Sequence, residues 1–336
     1  MLLSVIATVR NERGTIAKLL DSLLSQSHAP DEILIVDGAS TDGTLEVLEE
    51  YARVHGIRVI SKTCNIAEGR NLGIAAASGT HMAVTDAGCL VGADWLEELV
   101  ACFRANENVD VVAGNFRFET HSPFEEAVVL ATFQPNRDET SAARFYPSSR
   151  SLALKKSAWL KAGGYPEWLY AAEDTLFNIR LRQIGCQFVF CKRAIVSWRP
   201  RETWSTLAKQ RINFARGNGR VGIGVAGYSL NLKVHGVAAL LALASPWFPV
   251  LFLGAVATLG WHIRRHLWPQ AKTTTEGQPW QMRYRVLAIM EFVRLVSMYG
   301  YLLGRWDRAH DSSFIDNQKR YMTVESVEEL EADGIV

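Results

Sequence analysis

Short apolar runs alternate with amphipathic stretches through the first 113 residues, and this alternation confines the chain to a sheet covered by helices. Residues 2–9 (LLSVIATV) are an unbroken strand-like run, and Ile16, Leu19, Leu20, Leu23 and Leu24 then mark one face of a helix over 14–27. EILIVD (32–37) predicts a second strand, 44–55 a second helix, 58–62 a third strand and 67–77 an Ala-rich helix. A fourth strand follows at 81–86, a helix at 94–105 and a fifth strand at 109–113. Fully apolar strands joined by helices imply an α/β fold with a mainly parallel sheet flanked by helices. Such sheets bind ligands beyond the carboxyl ends of their strands. Asp37 and Asp86 each close a strand there.

Several function classes fall away. The turn after the first strand reads Arg10-Asn11-Glu12-Arg13-Gly14, without the G-x-G-x-x-G of a dinucleotide site. Gly217-Asn218-Gly219 does not follow a strand, and no Walker A loop is present. The five cysteines show no CxxC and no zinc spacing, so they read as small buried thiols in a reducing compartment. Met1 leads straight into the first strand with no basic n-region, so no secretory signal is expected. With 48% hydrophobic and 21% charged residues, the chain is neither disordered nor a coiled coil. Its net charge of +1 conceals a division: residues 1–100 sum to −7 and residues 192–305 to +13. That basic stretch suits an anionic partner such as a membrane surface rather than nucleic acid.

Four acids and three arginines are candidates for chemistry. In DGASTDGT, Thr41 or Asp42 suits the N-cap of the helix at Thr44, whereas Asp37 is an acid at the mouth of an apolar strand, placed to accept from a base N–H. Arg70 opens a helix in EGRNLG, where it suits either a phosphate or the solvated surface. Asp86 of TDAG is either a turn former or a ligand for a divalent cation shared with phosphates. Glu173-Asp174 stands at the start of a helical pattern, either as dipole partners or with a general base among them.

Taken in order, SVIATVRNE, EILIVDGASTDGT, EGRNLGIAAASG leading to VTDAG, GGYPE and AEDTLFNIRLRQIG resemble the family 2 inverting glycosyltransferases over roughly residues 1–220. The resemblance implies a GT-A nucleotide-sugar fold. It puts Asp37 on the nucleotide base, Arg70 near the nucleotide or diphosphate, and Asp86 at the first position of the Asp-x-Asp metal motif. Asp174, beside Glu173, becomes the catalytic base. Gly88 occupies the position of the second metal-motif acid, so Mg²⁺ or Mn²⁺ binding would depend on Asp86, water and the diphosphate. Arg216 and Arg220 suit a diphosphate or anionic lipid heads. Processive members carry Gln-x-x-Arg-Trp in this region; here Asn213-Phe214 stand in place of Arg-Trp, which favours transfer of one or a few sugars.

From Gly236 to Trp261 the chain has 26 uncharged residues, interrupted by Pro246 and Pro249 and flanked by Lys233, Arg264 and Arg265. The run is long enough for a span, while basic residues on both sides suit a re-entrant hairpin. Val286–Gly304 is a second apolar stretch, in which Glu291 and Arg294 can pair at i, i+3. The expected domains are a glycosyltransferase domain at 1–225, a membrane-associated helical region at 226–305 and an acidic tail at 306–336. The expected enzyme is non-processive, acts on a lipid-linked or cell-envelope acceptor, and sits on the cytoplasmic face of the cytoplasmic membrane. Nucleotidyl transfer on a similar fold and a membrane scaffold with weakened catalysis are the alternatives.

Overall fold

The N-terminal alternation folds into strands β1 (Leu3–Val9), β2 (Glu32–Asp37), β3 (Arg58–Ser61) and β4 (His81–Asp86), with helices α1 (Ile16–Leu24), α2 (Thr44–His55) and α3 (Ile66–Ala76) between them. The computed structural model describes residues 1–133 and 147–323. After β4 come β5 (Cys89–Val91), α4 (Trp95–Ala105), β6 (Val111–Phe118), α5 (Pro123–Thr132), β7 (Leu152–Lys155), α6 (Lys156–Ala162), α7 (Glu173–Gln183) and β8 (Phe188–Trp198). The sheet order is β3-β2-β1-β4-β7-β6-β8-β5. The four N-terminal strands are mutually parallel, as expected. β7 runs antiparallel to both β4 and β6, and β5 antiparallel to β8, so the whole sheet is mixed. LALK and CLV are too short to display a period in the sequence.

β1 shows how the two faces are filled. Leu3, Val5, Ala7 and Val9 point into a core closed by Ile16, Leu19 and Leu20 of α1 and by Trp95 and Leu99 of α4. Ile6 points the other way, into a core with Ile74 of α3, Trp159 of α6 and Phe177 of α7. Alternate residues therefore serve opposite layers, and the whole strand has to be apolar.

The chain divides into two compact units. One contains Met1–Glu119, the described residues up to Arg199 and those from Asp316 on; the other contains the described residues from Thr120 to Phe133 and Pro200–Ile315. The second unit is helical: α5, α8 (Trp204–Val221), α9 (Val225–Ala244), α10 (Val250–His262), one π-helical turn at Ile263–Leu267, α11 (Trp268–Thr274) and α12 (Trp280–His310). A last helix, α13 (Ser313–Thr323), carries the chain back into the first unit. The second core joins Ala127, Leu207, Leu267, Val286 and Ile289. α8 and α12 meet backbone to backbone. A Cβ on Gly304 would lie 2.0 Å from the Arg216 carbonyl oxygen, and one on Gly300 would lie 2.4 Å from that of Ile212. The Gly-x-x-x-Gly spacing on α12 makes this approach possible.

The expected break at Pro246 and Pro249 separates α9 from α10. α12 is long and apolar enough to cross a membrane, by length and composition. The expected Glu291–Arg294 pair does not form. Glu291 binds His235 at 2.6 Å, and Arg294 binds Asn231 and His262, because α9 and α10 offer closer partners than the next turn of α12. The acidic stretch from Val324 on lies outside the described residues.

Candidate active site

Register alone brings two of the acids to one end of the sheet. β1 pairs Val9 with Asp37 of β2 on one side and Thr8 with Asp86 of β4 on the other. Asp37 is fully buried and accepts from Ser61 Oγ at 2.9 Å and from the Ser40 amide at 3.2 Å. The turn that supplies Ser40 is drawn tight: Ala39 adopts a left-handed φ of 58°, as does Asn11 in the facing turn at 57°. Asn11 and Ser40 clasp the two turns together. The Asn11 amide donates to Ser40 Oγ at 2.9 Å, and Asn11 Oδ1 accepts from the Thr41 amide at 2.8 Å. The α2 N-cap is Gly43 rather than Thr41 or Asp42, although Asp42 Oδ1 accepts from the Thr44 amide next to it at 3.0 Å.

Arg70 is neither on the surface nor open to solvent. It sits in the second turn of α3 with its side chain 2% exposed, between two acids. Nη2 donates to Asp86 Oδ1 at 2.7 Å and Nη1 to Glu173 Oε1 at 2.9 Å, across 103 residues of sequence. The Tyr165 ring lies 5.3 Å from its guanidinium carbon. Burial opposes the charge of Asp86, but Arg70 and then Arg150 hold its pKa below the ordinary value. Burial lifts Glu173 to about 7, with the neighbouring Asp174 charge adding to the rise and Arg70 restraining it.

Glu173 and Asp174 open α7, entered through Ala172 in a left-handed conformation with φ 68°. The two acids differ in exposure: Glu173 is buried against Arg70, while Asp174 is half-buried. Asp174 Oδ1 accepts from the Thr175 amide at 2.7 Å. Its other carboxylate oxygen is the site's candidate proton acceptor.

Two contributors are invisible in the sequence pattern. Asn71, next to Arg70, is buried and ties down the Gly163–Glu167 loop. It donates to the Tyr165 carbonyl at 2.8 Å and Glu167 Oε1 at 2.9 Å, and accepts from the Tyr165 amide at 2.7 Å and Trp159 Nε1 at 3.0 Å. Gly164 has φ +69°, and a Cβ there would lie 2.7 Å from Asn71 Oδ1, so this loop position requires glycine. The second is Arg150, with Nε 3.7 Å from Asp86 Oδ2 and its guanidinium carbon 4.5 Å over the Trp198 ring. Only its reach to Asp86 sets it apart from other arginines.

A divalent cation would find one carboxylate here. Arg70 occupies Asp86 Oδ1, Oδ2 faces Arg150, and the space beside Gly88 is open for 4 Å around a Cβ position. Among the described residues no group of three His, Cys, Asp or Glu converges on a metal position. One carboxylate oxygen suits a cation that takes its remaining ligands from phosphates and water.

Arg216 and Arg220 belong to the second unit, one helical turn apart on α8. Arg216 grips Asp307 of α12 with Nε at 2.7 Å and Nη2 at 2.8 Å, and Arg220 Nε reaches the same carboxylate at 2.7 Å. All five cysteines are free thiols.

Comparison with known proteins assigns the first unit. The model of the Glycosyl transferase family 2 matches residues 4–159. Poly-beta-1,6-N-acetyl-D-glucosamine synthase of Staphylococcus epidermidis is 26% identical over 228 residues, which cover 65% of this chain and 55% of that one. Glycosyltransferase AglE of Haloferax volcanii is 26% identical over 220 residues, covering 64% and 72%. The chain thus matches little more than half of the longer relative. A mannosyltransferase from Pyrobaculum calidifontis, solved in complex with GDP-Man and Mn²⁺, superposes with a TM-score of 0.57 at 20% identity over 91% of this chain and 87% of that one. The motif order, the sheet that positions Asp37 and Asp86, and the matched family model converge on a match to the Glycosyl transferase family 2 over residues 4–159, built on the GT-A fold.

Proposed function

We propose that the protein transfers a sugar, with inversion, from a nucleoside-diphosphate donor to a hydroxyl of a lipid-linked or cell-envelope acceptor. The observation that carries this reading is Arg70 bridging Asp86 at the end of β4 to Glu173 at the start of α7. It fixes the acid expected near the donor diphosphate relative to the acid pair expected to deprotonate the acceptor. Asp37 receives the nucleotide base. Asp174 takes the proton of the acceptor hydroxyl, whose oxygen attacks the anomeric carbon from the face opposite the departing diphosphate. Glu173 stays with Arg70 and keeps the start of α7 in place.

Asp86 would be the residue that holds a divalent cation, which would supply counter-charge for the leaving group. On the chain itself, Arg150 stands next to Asp86 as a fixed cation. Arg216 and Arg220 are a second basic pair for an anionic partner, which has to share or displace Asp307. Transfer is non-processive, in keeping with Asn213-Phe214. The apolar helices of the second unit associate the enzyme with the cytoplasmic membrane, with the catalytic unit on its cytoplasmic side. The test is donor-dependent release of nucleoside diphosphate over a panel of nucleotide sugars, with and without Mn²⁺. Release from at least one sugar donor is expected, and full activity in chelator would reject the metal role of Asp86. No release from any nucleotide sugar would overturn the reading.

A further inference from the structure

α9 and α10 form a helical hairpin whose outer surface is apolar on all sides. From Gly236 to Trp261 only Ala238 and Ala255 are buried. Leu240, Leu243, Trp247, Phe248, Val250 and Leu253 are 63–70% exposed or, for Trp247, 75%. A surface like this on a water-soluble protein is unusual and marks a docking site.

Polar groups then stop the hairpin at a definite level. His235 of α9 binds Glu291, and His262 of α10 contacts Arg294, which also binds Asn231. Lys233, Arg264 and Arg265 are exposed at the same level, and no acidic residue occurs between Glu202 and Glu276. Above this level Gly236–Ala244 rises about 14 Å and Val250–Trp261 about 18 Å, at 1.5 Å per residue. Each leg reaches about half of a ~30 Å hydrocarbon layer.

The tip satisfies most of its own backbone N–H groups. Irregular backbone at depth is tolerated only when its polar groups are satisfied. Pro246 and Pro249 have no N–H. Ser245 donates to Ala242 O, Trp247 and Phe248 both donate to Ala244 O, and Leu251 and Phe252 donate to Phe248 O and Pro249 O. Ser245 Oγ also bonds the Ala242 carbonyl, at 2.7 Å.

We propose that the α9–α10 hairpin inserts tip-first into one leaflet of an anionic bilayer without crossing it, its base held at the headgroups by Lys233, Arg264 and Arg265. The proposal rests on the membrane association given above and adds its topology: both legs enter and leave on the same side.

The test uses the full chain with its five cysteines replaced by alanine and a single cysteine introduced as Lys233→Cys, Phe248→Cys or Arg265→Cys. Each is probed with a membrane-impermeant maleimide in spheroplasts and in sealed inverted vesicles of the expression host. Positions 233 and 265 are expected to label from one and the same side, and 248 only after detergent. Labelling of 233 and 265 from opposite sides overturns the hairpin and leaves membrane association standing. Protein that fails to float with vesicles overturns both. A lipid-free dimer cross-linked through the thiol of the Phe248→Cys variant shows that the tip pairs with a second copy, and also overturns insertion. A second measurement leaves the native cysteines in place. Trp247→Ala with Phe248→Ala should weaken binding to vesicles of phosphatidylcholine and phosphatidylglycerol by at least about tenfold. Neutralising Lys233, Arg264 and Arg265 with Gln should cost about a hundredfold on those vesicles and little on pure phosphatidylcholine. Unchanged binding in both variants overturns the proposal.

Discussion

The two units use opposite arrangements of the same ingredients. In the first, apolar side chains are buried on both faces of the sheet and the charged ones gather at the strand ends, where Arg70, Asp86, Glu173 and Arg150 face one another. In the second, two helices expose their apolar side chains, and the charged residues pair across helices, as Arg216 and Arg220 do with Asp307. A cluster of buried and half-buried charges with fixed partners suits chemistry on a polar, anionic donor. Exposed apolar helices bounded by basic residues suit attachment to a lipid surface. On the proposed function this chain's charge asymmetry is a division of tasks, and it can be attacked at several points.

The largest effect is expected at Asp174. Asp174→Asn removes the proposed base and should lower turnover by about 10²–10⁴-fold while donor affinity is kept. Steady-state nucleoside diphosphate release and a donor titration check both halves. Undiminished turnover would remove the base from Asp174.

Next comes Arg70. Arg70→Met leaves the buried Glu173 and the part-exposed Asp86 without their shared cation, at a cost of about 3–5 kcal/mol of stability. Urea unfolding measures it. Adding Asp86→Asn and Glu173→Gln to the same variant should restore part of the loss, because no uncompensated charge then remains. If the triple variant is no more stable than Arg70→Met, the ion network is not what holds this end of the sheet together.

The glycines of the second unit give a contrast with the first. Gly304→Ala forces a methyl group against the Arg216 carbonyl and should destabilise the α8–α12 packing by about 1–3 kcal/mol, read as a lower Tm in detergent. Gly88→Ala enters open space and should change Tm little. Equal shifts for the two would break the claim that α8 and α12 depend on backbone contact.

How far the sequence disclosed this division depended on range. β1, β2, β4 and α2 follow from local period and end where the pattern ends. Asp37 and Asp86 were visible as acids closing apolar strands. The partners of Arg70 and Asn71 were not, since Glu173 lies 103 residues from Arg70 and the Asn71 contacts lie 88–96 residues away. No periodicity encodes a contact of that span, and the same holds for Arg150 reaching Asp86. Glu291 and Arg294 show the reverse error: the i, i+3 spacing is real, but His235 and His262 compete from other helices and win.

A further effect is the pH response of Glu173. Its pKa rises from 4.5 in the unfolded chain to about 7 in the fold, mainly through burial. Between those values the native state binds more protons than the unfolded one, so stability should fall as pH rises from about 4.5 to about 7 and then level off. Below the window both states are protonated and the effect vanishes. Asp86 acts in the opposite sense, its pKa being lowered: its contribution is present above 3.8 and is lost as pH falls below that value. Glu173→Gln should flatten the upper slope and leave the acid limb untouched, as measured by urea unfolding across both ranges. An unchanged upper slope in Glu173→Gln would mean that Glu173 is not the group that takes up the proton.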